Sequence, residues 1–178
     1  MGKKVVGVDA GYVNFAVCAI NSDEPERPYF WVNEPLFKDK FSEEKLVQEI
    51  YRWIKTDRIK RLLDDADQII LERQMTMKFQ AINHCIRFLY FGKTKEINPK
   101  TFAAYFGLPQ TRVEKKKASV EKVRARVVLP VKKGKKDDLC DAFLLAMCGI
   151  LPERPELGPV WTKKIAAEPK KKKAKISE

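Results

Sequence analysis

The sequence predicts an α/β domain, a mixed β-sheet with helices packed on it. Three observations carry that expectation. Three strand-like runs follow one another within the first 37 residues, strand-like and helical segments then alternate, and the last two segments are helical, giving the order β-β-β-α-β-α-β-α-α. Consecutive strands pair antiparallel through short turns, whereas strands separated by a helix pair parallel, so this order fits a single mixed sheet. The 178 residues, 44% of them hydrophobic, suffice for one domain with a sizeable core.

The first two strands lie in "VVGVDAGYVNFAVCAIN", Val5 to Asn21, with Gly11 near the turn between them. "RPYFWVNEPLF", Arg27 to Phe37, is a third strand bounded by Pro28 and Pro35. Ser42 followed by Glu43 and Glu44 has the form of a helix start, a cap and then first-turn acids. Leu46, Val47, Ile50, Trp53 and Ile54, then less regularly Ile59, Leu62 and Leu63, recur at helical spacing and predict one helix ending near Asp64 to Asp67. "QIILE", Gln68 to Glu72, is a short buried strand, and Met75 to Phe91 is apolar at helical spacing up to Gly92. Lys95 to Gly107 begins like a strand that Pro99 interrupts. Val113 to Val128 is a very basic helix, "VKKGKK" a loop, and Asp137 to Ile150 a last helix closed by Gly149 and Pro152. The domain is expected to span 1–158, with 159–178 a lysine-rich, low-complexity, disordered tail.

The net charge of +12 is focused: Gln110 to Lys136 carries +9 and Trp161 to Glu178 carries +5, leaving −2 for the rest. A concentrated basic surface suits a polyanion, although in the tail a merely solvated lysine run is an equal reading. The N-terminus runs straight into a strand, so no secretory signal is expected. The longest apolar run, Ala142 to Leu151, is too short to span a bilayer, so no membrane partner is expected. Cys18, Cys85, Cys140 and Cys148 form no CxxC pair, which argues against zinc or a disulfide framework and for a reducing intracellular compartment. His84 is the only histidine, and beside Cys85 on a helix it reads as structural.

Three acidic features are oddly placed. Asp9 lies inside an apolar strand, Glu72 ends another, and Asp138 and Asp141 stand near the start of the last helix. Residues three apart on a helix share a face, so Asp138 and Asp141 can point at one spot. Taken singly, each except Asp9 is better read structurally: Glu72 can pair with Arg73, and Asp137 and Asp138 suit a helix's first turn. Asp9 itself could cap the Gly11 turn. Together they would gather carboxylates that repel one another unless protonated or bridged by cations. Hard oxygen donors suit Mg²⁺ or Mn²⁺, and two such ions about 3.5–4 Å apart can activate water and stabilise the leaving oxygen of a phosphodiester.

"VGVDAGYVNFAVC", "IILERQ" and "KKDDLCDAFLLA" together resemble the RuvC-like Holliday junction resolvases, of the poxvirus and fungal mitochondrial types, over Lys4 to about Ile150. The resemblance implies a ribonuclease H-like fold, a homodimer, divalent metal with two ions per site, no small-molecule cofactor, and cleavage of four-way DNA junctions. It implies that Asp9, Glu72, Asp138 and Asp141 are the metal-binding, catalytic acids, with Asp137 an extra acid beside them. It also implies a basic residue near the scissile phosphate, for which Lys115, Lys116 and Lys117 are candidates and Lys117 is the one assigned a catalytic role. Arg73, Lys115, Lys116, Lys117, Lys122, Arg124, Lys132, Lys133, Lys135 and Lys136 are the expected DNA contacts. The place of action is expected to be inside the cell, at a viral DNA replication site or in the nucleus or cytoplasm.

The helix Met75 to Phe91 is the expected dimer patch, with a stripe of Phe79, Ile82, Ile86, Leu89 and Tyr90 widened by Met77, Phe88 and Phe91. An actin-like or Hsp70-like ATPase also opens with D-x-G in a strand, but such folds need two related domains. A non-enzymatic DNA-binding module explains the charge and not the acids. A general ribonuclease H or transposase-like nuclease shares the acids.

Overall fold

The structure, a computed structural model, describes residues 2–11, 14–37, 42, 44–130 and 136–151. Its elements are β1 (Lys4–Asp9), β2 (Phe15–Asn21), β3 (Phe30–Glu34), α1 (Leu46–Ile54), α2 (Asp57–Asp65), β4 (Gln68–Glu72), α3 (Met77–Leu89), β5 (Thr94–Ile97), α4 (Pro99–Phe106), α5 (Arg112–Arg124) and α6 (Asp137–Cys148). The five strands make one sheet in the order β3-β2-β1-β4-β5. β1, β2 and β3 pair antiparallel, while β4 is parallel to both β1 and β5. The expected mixed sheet flanked by helices is therefore present. Lys132, Lys133, Lys135 and the expected tail lie outside the described residues.

Two helical segments differ from the sequence expectation. The single helix expected from Ser42 into Leu63 is two: the helix starts at Leu46, and the chain breaks at Thr56. There the Thr56 backbone N–H and hydroxyl both donate to the Trp53 carbonyl, at 3.1 and 2.7 Å, and Thr56 itself is extended. A threonine hydroxyl that bonds a nearby carbonyl offers the backbone an alternative to the helix, and Asp57 then suits the first turn of a new one. The second difference is α4. Pro99 stops β5, but it also opens a helix, because Asn98 accepts from the Lys100 N–H as N-cap and proline tolerates the first helical position.

The sheet has a core on each face. Alternation along a strand decides which residue goes where. Val6, Val8, Val17, Ile69 and Leu71 pack with Ile50, Leu63, Ile82 and Ile86 from α1, α2 and α3. Val5, Cys18, Ile20 and Ile70 pack on the other face with Phe102, Phe106, Val123, Phe143 and Leu144 from α4, α5 and α6. By the same period of two, Asp9 follows Val5 and Gly7 onto the α6 face, and Glu72 follows Ile70 there. β1 and β4 run parallel in the register Val8↔Leu71, so Asp9 and Glu72 end adjacent strands side by side.

α6 runs antiparallel to β1 and in unusually close contact with it. A Cβ built on Gly7 would stand 2.1 Å from the Ala142 carbonyl oxygen and 2.3 Å from the Ala146 nitrogen, and one on Gly149 would stand 2.5 Å from Val5 Cγ1. One helical turn, about 5.4 Å, and two strand residues, about 6.6 Å, are nearly the same length. Stepping one turn back from Ala142 and two residues on from Gly7 therefore brings Asp138 over Asp9. Gly7→Ala should lift α6 off the sheet. We expect a loss of at least about 3 kcal/mol in urea unfolding; an unchanged midpoint would contradict the close contact.

Candidate active site

At the C-terminal ends of β1 and β4 the sheet opens into a cleft of about 650 Å³. Asp9, Glu72, Asp138 and Asp141 all line it, so the four acids singled out in the sequence converge. Asp9 comes from β1, Glu72 from β4, and the other two from the first turns of α6. Gly11 and Asn14 close the side next to Asp9, where a Cβ on Gly11 would stand 2.4 Å from the Asn14 carbonyl oxygen. The glycine thus permits close backbone approach at the turn.

The opposite wall is α5. Thr111 caps it, accepting from the Glu114 N–H at 3.4 Å and donating to the Glu114 carboxylate at 2.6 Å. Its buried residues are Ser119 and Val123, and Lys115 lies one and two turns before them on the same face. Lys115 Nζ consequently reaches Glu72 Oε1 at 3.2 Å and sits 4.7 Å from the centre of the Phe102 ring. Lys116 pairs with Asp137 and stands 3.7 Å from Asp138 Oδ1. Lys117, the lysine assigned the catalytic role from sequence, is exposed and does not line the cleft, because the helix turns it away from the Ser119 face. Lys115 and Lys116 occupy that place instead. Asp137 is held by Lys116 and is not among the cleft residues.

Of the other expected DNA contacts, Arg73 lines the cleft, Lys122 and Lys136 are half-buried, and Arg124 is exposed. His84 is exposed on α3 and does not line the cleft. Sequence reasoning missed Arg112, Ser119, Asn83 and Glu96. Arg112 and Gln110 line the cleft mouth. Ser119 was legible as the small polar residue four positions before Val123, on the inward face of an otherwise basic helix.

The electrostatics are those of crowded, partly desolvated carboxylates. Burial drives the Asp9 pKa well above its usual value, and the charges of Asp141, Glu72 and Asp138 add to the shift. Burial likewise pushes Asp141 up to about 6, against the pull of the Ser119 hydroxyl, Lys115 and Lys116. The Ser119 contact falls short of a full hydrogen bond, since Ser119 Oγ and Asp141 Oδ1 are both buried without a hydrogen-bond partner. Burial alone would lower the Lys116 pKa, but its bond to Asp137 and the charge of Asp138 leave it raised.

Such a donor set, all hard oxygens around one desolvated spot, fits a hard divalent cation. Asp141 Oδ1 in particular is buried without a completed hydrogen bond. Among the described residues no three such side chains are yet drawn tightly enough to grip an ion, and two ammonium groups pair with Glu72, Asp137 and Asp138 in the arrangement seen.

No protein-family description and no curated protein sequence matches this chain. Solved structures do match in fold. The yeast mitochondrial Holliday junction resolvase Ydc2 is 16% identical, with a TM-score of 0.57 over 82% of this chain and 78% of that one. The fowlpox virus resolvase, solved with substrate Holliday junction DNA, is 21% identical, with a TM-score of 0.57 over 83% of this chain and 96% of that one. Thermus thermophilus RuvC is 13% identical, with a TM-score of 0.53 over 81% of this chain and 91% of that one. These likenesses establish that the chain shares the α/β fold of these resolvases, the mixed sheet flanked by helices expected from the sequence.

The raised Asp141 pKa has a stability consequence. In metal-free protein the folded state keeps this proton up to about pH 6, whereas an unfolded chain releases it near 3.8. Between those values the folded state binds more protons, so the group's contribution to stability falls as pH rises from about 4 to above 6. Asp141→Asn removes the penalty. In EDTA at pH 8 we expect the variant to gain on the order of 2 kcal/mol over wild type in urea, with the gain fading towards pH 4. A variant less stable than wild type at pH 8 would contradict the desolvated carboxylate.

Proposed function

We propose that this chain is a metal-dependent endodeoxyribonuclease that resolves four-way (Holliday) or other branched DNA junctions, acting inside the cell as a homodimer that makes paired incisions. The observation that carries the reading is the convergence of Asp9, Glu72, Asp138 and Asp141 on one cleft walled by Lys115 and Lys116. The fold it shares with proteins described as Holliday junction resolvases supports the choice of substrate.

Asp9, Glu72, Asp138 and Asp141 are the residues that would hold Mg²⁺ or Mn²⁺, two ions in this reading. Such ions supply Lewis-acid stabilisation of phosphodiester oxygens and a water activated near neutral pH. The chain's own groups do the rest. Lys115 and Lys116 offer positive charge to a phosphate entering between α5 and the strand ends. Arg73, at the end of β4, presents a guanidinium whose geometry suits phosphate oxygens. Lys117 and Arg124, exposed on α5, together with Lys122 and Lys136, extend the basic surface beyond the cleft, and Lys132, Lys133 and Lys135 belong to the same run of sequence.

The dimer reading rests on α3. Its expected stripe is divided. Ile82 and Ile86 are fully buried in the core, and Phe79 and Tyr90 are half-buried. Met77, Phe88 and Phe91 are 85%, 84% and 93% exposed. A two-fold pairing would cover such side chains by the same patch on each partner.

Two outcomes test these parts separately. Asp9→Asn should bind a four-way junction as wild type does and cleave it at least about a hundredfold more slowly in Mg²⁺, since the basic wall is untouched and an acid ligand is lost. Cleavage at the wild-type rate would remove the carboxylate mechanism, whereas a wild type that binds the junction and does not cut it would favour the non-enzymatic DNA-binding reading. In sedimentation at micromolar concentration wild type should run as a dimer and the Phe88→Glu/Phe91→Glu variant as a monomer. A wild-type monomer, free and on the junction, would rule out the paired-incision arrangement.

A further inference from the structure

The peptide that joins Glu72 to Arg73 is held from both sides. β4 ends at Glu72, and beyond a strand end the backbone must find partners other than the ladder. The Arg73 N–H donates to the Ile97 carbonyl at 2.8 Å. The Glu72 carbonyl, on the same peptide, accepts from Asn83 Nδ2 at 2.9 Å. Asn83 is on α3 and 1% exposed. The same Nδ2 donates its second hydrogen to Glu96 Oε1 on β5 at 3.1 Å. Glu96 is anchored in turn, with Arg87 Nη1 at 3.5 Å and Arg73 Nε at 3.9 Å.

Stability alone does not account for an asparagine here. Asn83 sits within the inward stripe of Phe79, Ile82 and Ile86, where an apolar residue would pack without polar cost. Its Oδ1 is buried with no hydrogen-bond partner, an arrangement that costs free energy. Its two donors, however, are both used, one on the Glu72 carbonyl at the end of β4 and one on Glu96 of the neighbouring β5. A clamped peptide plane fixes the direction of the Glu72 Cα–Cβ bond and so the reach of its carboxylate into the cleft.

We propose that Asn83 is a positioning residue for Glu72, anchored by Glu96, and that it presets the carboxylate for the divalent cation; this rests on the metal reading of the cleft. It acts through the Glu72 backbone and does not touch substrate. The same helix carries Phe88 on its exposed side, so a partner docked on α3 would bear on the Glu72 peptide through one rigid element.

The test is Mn²⁺ binding to the full chain by calorimetry, with folding checked by circular dichroism at the assay temperature. Asn83→Asp replaces the donor by an acceptor facing a carbonyl and a carboxylate. Asn83→Leu removes the donors while suiting the core. Glu96→Ala releases the anchor from a half-buried position. Each should weaken Mn²⁺ binding, by about tenfold or more for the Asn83 variants. Ile86→Val, a core truncation on the same helix face, should lower the melting temperature and leave Mn²⁺ affinity unchanged. If Asn83→Asp does not fold, Asn83→Leu and Glu96→Ala decide the matter. Wild-type affinity in folded Asn83→Leu and Glu96→Ala would overturn the inference alone. Failure of wild type to bind Mn²⁺ would overturn the metal reading and the inference with it.

Discussion

The site depends on the closeness of α6 to β1. Ala142 and Ala146 press their backbone against Gly7, leaving no room for a Cβ, and Gly149 lies close against the Val5 side chain two residues earlier on the strand. Because the helix runs antiparallel to the strand and at nearly matching rise, this contact fixes where the first turns of α6 fall. They fall at the C-terminal end of β1, over Asp9, beside Glu72 on β4. Four carboxylates from three elements are thereby brought to one cleft by the packing of α6 on the sheet and the register of β1 with β4. The small residues of α6 are thus part of the site although none of them lines it.

That packing sets up an unfavourable electrostatic arrangement. Asp9 is driven towards its protonated form by burial and by its neighbours, and Asp141 is held near 6. Two lysines on α5 relieve part of the repulsion, Lys115 at Glu72 and Lys116 at Asp137 and Asp138. The balance is incomplete, since Asp141 Oδ1 and Ser119 Oγ remain buried without partners. A domain that carries such a cluster gives up stability in its metal-free state, and the loss is recovered by whatever positive charge enters the cleft. Asn83 likewise carries an unmatched buried oxygen while its amide hydrogens bond the Glu72 carbonyl at the end of β4 and Glu96 on the adjacent β5.

The acids were legible in the sequence because each broke a local pattern: Asp9 an apolar strand, Glu72 the end of another, Asp138 and Asp141 the face of an apolar helix. The strands were legible for the same reason, since alternation and β-branched runs are local properties. What escaped was what depends on partners. Lys115 and Lys116, not Lys117, face the cleft, and the direction is set by Ser119 and Val123 one and two turns on, which had to be read as inward first. Thr56 breaks a helix through a bond from its hydroxyl to Trp53, and Pro99 opens one because Asn98 caps it. Nothing local distinguishes an α3 phenylalanine that is exposed, such as Phe88, from an isoleucine in the core, such as Ile86. The part Asn83 plays depends on a carbonyl eleven residues before it at one strand end and a carboxylate thirteen residues after it on the next strand.

The central claim is that this cleft performs metal-dependent hydrolysis on branched DNA. The direct measurement is a strand-incision assay with the wild-type chain on an end-labelled four-way junction and on a linear duplex of the same arm sequences, in Mg²⁺ and in EDTA. The account predicts incision of the junction on two opposed strands in Mg²⁺, little on the linear duplex, and none in EDTA. Equal incision of junction and duplex would make this a general nuclease of the same fold, and no metal-dependent incision of either would contradict the account.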